Sequence, residues 1–206
     1  MGIYRIKPAF QRSLGGAEDF LVERGIHPDV LTLAAVALSL LGGVALYAQS
    51  WQRWLLLVVP VVALLRTALN ALDGLVAKRT GLARPWGEVL NECCDRVADV
   101  ALFGGLALAD GVNLYLGAGA IVLILLGSYV GIVSKAAGGP RQYGGVMGKA
   151  DRMIFLSVVA VVVVILRRVW IWNVFLSLVT IGVVVTILQR LVRTHADLRP
   201  AGPSIG

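Results

Sequence analysis

"NALDGLVAKRTGLARPWGEVLNECCDRVAD", residues 70–99, sets Asn70, Asp73, Glu88, Asn91, Glu92, Asp95 and Asp99 into a chain whose other long segments are almost wholly apolar. An ionisable group near the centre of a bilayer costs ~2.5–3.5 kcal/mol on insertion scales, so acids in such a setting face a cavity or a partner. With Arg66, Asp73, Asp95, Arg96 and Asp99 all turned to lipid, the combined cost would rival the whole stability of an ordinary domain. They are therefore expected to face inward. The spacing agrees: Asn70 and Asp73 are three apart, and Asn91, Asp95 and Asp99 follow at intervals of four, so each set shares one helix face. Two such stripes on consecutive antiparallel helices oppose each other near one membrane surface.

The remainder of the chain supplies the membrane. Its 206 residues are 58% hydrophobic and only 15% charged, with a mean hydropathy of +0.82, far outside the range of soluble domains. The apolar runs reach the about 20 residues that cross ~30 Å of hydrocarbon as a helix, and they lack the alternation of a transmembrane barrel. The expected fold is all-α, a six-transmembrane-helix bundle with spans near 29–49, 54–78, 88–109, 114–136, 151–167 and 170–191. Residues 1–28 read as a cytoplasmic juxtamembrane amphipathic segment, 29–191 as the membrane domain and 192–206 as a cytoplasmic tail ending in a disordered LRPAGPSIG.

In the first segment Ile3, Ile6, Phe10 and Leu14 recur at helical spacing beside Arg5, Lys7 and Arg12, the pattern of a helix lying on the membrane surface. It has no continuous apolar core, so it does not read as a cleavable signal peptide. His27-Pro28-Asp29 opens the first span, with Pro28 restraining the preceding chain and Asp29 as the expected cap.

A net charge of +7 and a pI near 9.9 would fit a nucleic-acid binder, but in a chain this apolar they read as the positive-inside rule and attraction to anionic lipid. With the N-terminus inside, fourteen Lys and Arg residues fall on the cytoplasmic side, three (Arg53, Arg167 and Arg168) on the other, and two within spans. Both termini and the 78–87 and 137–151 loops are thus expected in the cytoplasm, at the cell (inner) membrane. Cys93 and Cys94 are neighbours on a helix and read as small packing residues rather than a disulfide. The five tryptophans, Trp51, Trp54, Trp86, Trp170 and Trp172, fall near span ends and read as interfacial anchors.

Oxygen ligands converging from two helices suit a hard cation, Mg²⁺ or Mn²⁺, better than zinc, for which the chain has no Cys/His set. Gly74, Gly81 and Gly87 leave room for a nucleotide or pyrophosphate beside the backbone, and Lys78, Arg79 and Arg84 add positive charge at the same mouth.

The stretch resembles the signature of the CDP-alcohol phosphatidyltransferase family, D-x2-D-G-x2-A-R-x8-G-x3-D-x3-D, with every spacing kept: Asn70, Asp73, Gly74, Ala77, Lys78, Gly87, Asn91, Asp95. The likeness implies transfer of a phosphatidyl group from CDP-diacylglycerol to an alcohol acceptor with release of CMP, dependence on a divalent ion, and a homodimer. It implies that Asp95 is the general base and that Asn70, Asp73 and Asn91 hold metal. Gly74, Ala77, Lys78, Gly81 and Gly87 would then contact the nucleotide and its phosphates.

The departures are Asn70 and Asn91 for two aspartates and Lys78 for the arginine, the marks of a short bacterial subgroup. An amide oxygen ligates Mg²⁺ without bringing charge, so Asp73 and Asp95 should hold metal more weakly than four aspartates. Glu92, next to Asn91, is expected to restore a carboxylate. In GGPRQYGGVMGKADR, the residues Arg141, Lys149 and Arg152 lie on the same predicted side and read either as donor or acceptor phosphate contacts or as topology-setting loop charges. Asp99, one turn deeper, reads as a partner of Arg66 or Arg96. The competing functions are a family member that binds CDP-lipid or nucleotide without turnover, and a small transporter, whose polar residues would reach both faces rather than gather at one.

Overall fold

Residues 7–198 are described by the computed structural model, side chains from Phe10 onward, and they form eight α-helices and no strand. In chain order these are α1 (Lys7–Ser13), α2 (Gly15–Glu23), α3 (Pro28–Tyr47), α4 (Val58–Arg79), α5 (Pro85–Ala107), α6 (Leu114–Ala136), α7 (Lys149–Leu166) and α8 (Trp170–Asp197), with two 3-10 turns, Ala48–Ser50 and Arg53–Leu57, joining α3 to α4. Ile3, Arg5 and Ile6 of the expected surface helix, and the tail from 199, lie outside the described residues.

Four segments are long and apolar enough to cross a membrane: Pro28–Ser50, Arg53–Arg79, Leu114–Ala136 and Trp170–Asp197. The other two long helices, α5 and α7, hold 23 and 18 residues and carry the charges Asp95, Arg96, Asp99 and Asp151, Arg152. Charge rather than length sets them apart from the other four. Outward faces of the apolar helices present Leu41, Val44, Leu64, Val122, Ile181 and Val192, as hydrocarbon requires.

Start signals in the sequence act locally, with one change of part. Pro28 occupies the first turn of α3, but the cap is His27, whose Nδ1 accepts from the Asp29 N–H at 3.2 Å. Asp29 is freed to pair with Arg84 at the mouth of α5. Pro85 opens α5 in the same manner, after an extended Arg84. Helix α7 begins at Lys149, two residues before the expected boundary, which brings Lys149 onto a rigid element.

Helix α3 packs on both α4 and α5, α6 packs on α8, and α4 meets α7. Small residues allow the closest crossing: a Cβ on Gly105 would stand 2.0 Å from the Gly43 carbonyl oxygen, and one on Gly43 would stand 2.2 Å from that of Ala101. That contact fixes the rotation of α5 against α3, and so decides which α5 side chains meet α4. Below it, Phe175 is the hub of the apolar core, stacked on Phe103 at 6.2 Å and edge-on to Phe155 at 4.9 Å and Trp172 at 5.7 Å. Phe175→Ala is expected to cost about 3–5 kcal/mol, read as a lowered melting temperature of the purified protein.

Trp51, Trp54, Trp86 and Trp170 are exposed as anchors should be, whereas Trp172 is fully buried and donates through Nε1 to Gln49 Oε1 at 2.6 Å. Residues two apart on a helix point roughly 200° apart, so Trp170 and Trp172 cannot both face the interface. At the opposite end of the bundle, Leu14, Leu21, Val22 and Ile26 close over Leu31, Leu72 and Val76, docking α2 beside the polar stripe. There Arg79 pairs with Asp19 and lies 3.6 Å from Glu18.

Candidate active site

Helices α4 and α5 are joined by a short loop turning at Gly81, whose φ of +71° favours glycine, and they run antiparallel with their stripes facing. Hydrogen bonds cross between the stripes reciprocally. Asn70 Nδ2 of α4 donates to Asp95 Oδ1 of α5 at 3.0 Å, and Asn91 Nδ2 of α5 contacts Asp73 Oδ2 of α4. The same Asp73 oxygen accepts from Thr32 of α3 at 2.8 Å, and its Oδ1 accepts from the Gly74 N–H at 2.6 Å. Asp95 Oδ1 also contacts the Lys149 ammonium and lies 3.9 Å from Arg66. Four signature positions, Asn70, Asp73, Asn91 and Asp95, are thus brought together.

One turn deeper lies a buried ionic layer. Arg66 and Asp99 are 0% and 1% exposed, and Asp99 accepts from Arg66 at 2.8 Å and from Arg152 at 3.0 Å. Arg66 further donates to the Asp95 carbonyl at 3.3 Å, so the layer carries the backbone of the site above it. Of the two partners expected for Asp99, Arg66 and Arg96, it meets Arg66, with Arg152 as its second. Arg96 instead reaches Glu92 at 3.3 Å and Asp95 Oδ2 at 3.7 Å.

At the rim Lys135 bonds Glu88 at 2.5 Å, and Arg141 contacts Glu92 while its guanidinium lies 4.5 Å from the Tyr143 ring. Each of the three bases expected to meet phosphate therefore holds an acid of α5: Arg141 on Glu92, Lys149 on Asp95 and Arg152 on Asp99. Glu92 is not gathered with Asp73; its carboxylate is linked to Asp95 only through Arg96. Adjacent helix residues point about 100° apart, so Glu92 does not inherit the direction of Asn91.

A cavity of about 660 Å³ opens between α4 and α7, with Phe10 and Gln11 of α1 at its edge. One end is polar, with Asn70, Gly74, Lys78 and Lys149; the remainder is an apolar channel along Pro60, Leu64, Met153, Ile154 and Val158. A Cβ on Gly74 would meet no protein atom within 4 Å, so that side of the helix faces open space. Ala77, Gly81 and Gly87 lie outside this lining.

No group of three or more His, Cys, Asp or Glu side chains poised for a metal ion occurs among the described residues. Asp73 and Asp95 supply two carboxylates and the asparagines two amide oxygens, whose N and O positions exchange by rotation about the terminal torsion. Two carboxylates completed by substrate phosphates and water are an ordinary Mg²⁺ environment, so the residues fit one ion.

The sequence does not mark Thr32 as a site residue, and it marks Arg66 and Asp99 only as an inward-facing pair and Arg152 only as a phosphate contact. For Thr32, Arg66 and Asp99 the only signal is polarity inside apolar helices, which marks an inward face without naming the partner.

No protein-family model matches the sequence. The chain is similar to the inner membrane protein YnbA of Escherichia coli (strain K12), 34% identical over 173 residues that span 84% of this chain and 86% of the relative. It is also similar to the phosphatidylinositol phosphate synthase of Streptomyces avermitilis, 30% identical over 200 residues, 91% of this chain and 80% of the relative. Among solved structures it resembles Mycobacterium tuberculosis phosphatidylinositol phosphate synthase in complex with manganese and citrate, with a TM-score of 0.75, 25% identity and coverage of 93% of this chain and 95% of that one. The same synthase with CDP-DAG bound gives a TM-score of 0.75 and 25% identity over 92% of this chain and 99% of that one. With the signature spacing kept and the relatives matched over most of their own length, the chain belongs to the CDP-alcohol phosphatidyltransferase family.

Proposed function

We propose that the protein is an integral membrane transferase that moves a phosphatidyl group from CDP-diacylglycerol to a hydroxyl acceptor, releasing CMP, with one Mg²⁺ or Mn²⁺ held chiefly by Asp73. The observation that carries this reading is the reciprocal Asn70–Asp95 and Asn91–Asp73 bonding, which reaches the polar end of an otherwise apolar cavity through Asn70 and through Lys149, the partner of Asp95. That shape suits a molecule with a charged diphosphate head and acyl tails. In this reading α5 and α7 also cross the bilayer, giving six spans within 29–191. Residues 1–28 lie on the cytoplasmic surface, 192–206 form a cytoplasmic tail, and the site opens to the cytoplasm of a homodimer. Asn at two signature positions then defines the subgroup.

The reaction exchanges one phosphorus–oxygen bond for another. The acceptor oxygen attacks the phosphorus that bears the diacylglycerol, the bond to the CMP phosphate breaks, and the acceptor's proton passes to Asp95. A bound divalent ion supplies charge neutralisation for the diphosphate and the departing CMP. Asn70 and Asn91 hold the two carboxylates in register, Lys78 and Lys149 meet phosphate oxygens, and Gly74 leaves space for the nucleotide beside α4. Arg66 steadies the Asp95 backbone.

The test is CMP release from CDP-diacylglycerol by the purified protein with Mg²⁺ or Mn²⁺, set against excess chelator. Metal-dependent release supports the reading; binding of the lipid with no release identifies a non-catalytic binder instead. Glu92→Gln is expected to leave the metal concentration for half-maximal release within about twofold, because Glu92 is held by Arg141 and Arg96. A larger shift would restore Glu92 to the ligand set.

A further inference from the structure

We infer that Lys149 is a resident cation of the site, holding on Asp95 the place that a second divalent ion would need, so that the chain takes up a single ion centred on Asp73. This rests on the metal-dependent reading above.

The contacts divide the two carboxylates. Asp95 touches the Lys149 ammonium and lies 3.9 Å from Arg66 and 3.7 Å from Arg96. Asp73 accepts hydrogen bonds from Thr32, Gly74 and Asn91 but forms no ion pair among the described residues. The ammonium is presented by a fixed element. Lys149 is the first residue of α7, the Gly148 N–H donates to Asp151 at 3.0 Å, and Arg152 in the same turn is tied to Asp99 at 3.0 Å.

Charge points the same way. The acids of the network are Asp73, Glu88, Glu92, Asp95 and Asp99; the bases are Arg66, Arg96, Lys135, Arg141, Lys149 and Arg152. Bases exceed acids by one before any metal enters. A four-aspartate site needs two divalent ions to reach neutrality; with two amides and a lysine this one does not. An ion bridging to Asp95 must displace the ammonium or sit beside it, and like charges at ~4 Å repel strongly in a low-dielectric interior.

The test is Mn²⁺ binding to the purified full chain, followed by the electron paramagnetic resonance of free Mn²⁺ in the absence of lipid substrate. Wild type is expected to take up one Mn²⁺ per chain. Lys149→Met is expected to bind Mn²⁺ at least about tenfold more tightly or to gain a second ion, and Lys149→Arg to behave as wild type. Two Mn²⁺ of comparable affinity on wild type overturn the inference without any variant, and so does a Lys149→Met affinity within about twofold of wild type. No detectable Mn²⁺ on either protein overturns it together with the one-ion site. If Mn²⁺ behaves as expected but wild type releases no CMP, the transferase reading falls and the role of Lys149 stands.

Discussion

Asp95→Asn lowers the rate of CMP release from CDP-diacylglycerol by about 10²–10⁴-fold in a protein that still folds. The substitution keeps the size of the side chain and one acceptor oxygen, so the bond from Asn70 survives, while the group that takes the acceptor's proton is lost. Folding is spared because Arg66 keeps both its strong partner Asp99 and its bond to the backbone carbonyl of residue 95. The check is a single-turnover assay of radiolabelled CMP on wild type and variant with matched melting temperatures. A loss of less than about fivefold would take the base role away from Asp95 and leave it as a partner of Lys149.

Asp99→Ala, one turn below, acts on stability first. It leaves Arg66 and Arg152, both buried, without their shared carboxylate. Removing one partner of a buried pair costs about 3–5 kcal/mol because the remaining charge has nowhere to go. For a chain of this size that corresponds to a melting temperature lowered by roughly 10–15 °C. Replacing the layer together, as Arg66→Met with Asp99→Leu and Arg152→Met, is expected to recover much of the loss, since no buried charge is then left unpaired. Differential scanning fluorimetry on the single and triple variants separates the two outcomes. A triple variant no more stable than Asp99→Ala would mean that the layer's geometry, rather than its charge balance, holds the helices.

The parts of this architecture written in local sequence were legible, and those that depend on how helices cross were not. Apolar length and the proline-marked start at Pro28 located the helices, though α5 opens at Pro85 rather than near residue 88, and i, i+3 and i+4 spacing placed Asn70 with Asp73 and Asn91 with Asp95 on inward faces. The burial of Arg66, Asp73, Asp95 and Asp99 followed from the cost of exposing them to lipid. Partner choice did not follow. Which acid Arg96 or Arg152 reaches depends on the rotation of α5 against α3 at the Gly43–Gly105 contact, and on α7 starting at Lys149, neither of which periodicity encodes.

Trp172 illustrates the same limit. Its place near a span end suggested an anchor, but the pairing with Gln49 sits 123 residues back along the chain. Glu92 shows how a compensating carboxylate next door in sequence points elsewhere in space. His27 took the capping role expected of Asp29 because its Nδ1 reaches the same orphan N–H, leaving Asp29 for Arg84 across the mouth of α5.

The central claim is that acidic and amide oxygens of α4 and α5 serve phosphatidyl transfer. It is tested most directly by mass spectrometry of the lipids formed when purified protein is incubated with CDP-diacylglycerol, Mg²⁺ or Mn²⁺, and a panel of inositol phosphate, glycerol phosphate, serine and phosphatidylglycerol. The account predicts a new phospholipid carrying one of these acceptors, formed in step with CMP, removed by chelator and missing with Asp95→Asn. Unchanged CDP-diacylglycerol with every acceptor, in a folded protein that binds the lipid, would contradict it.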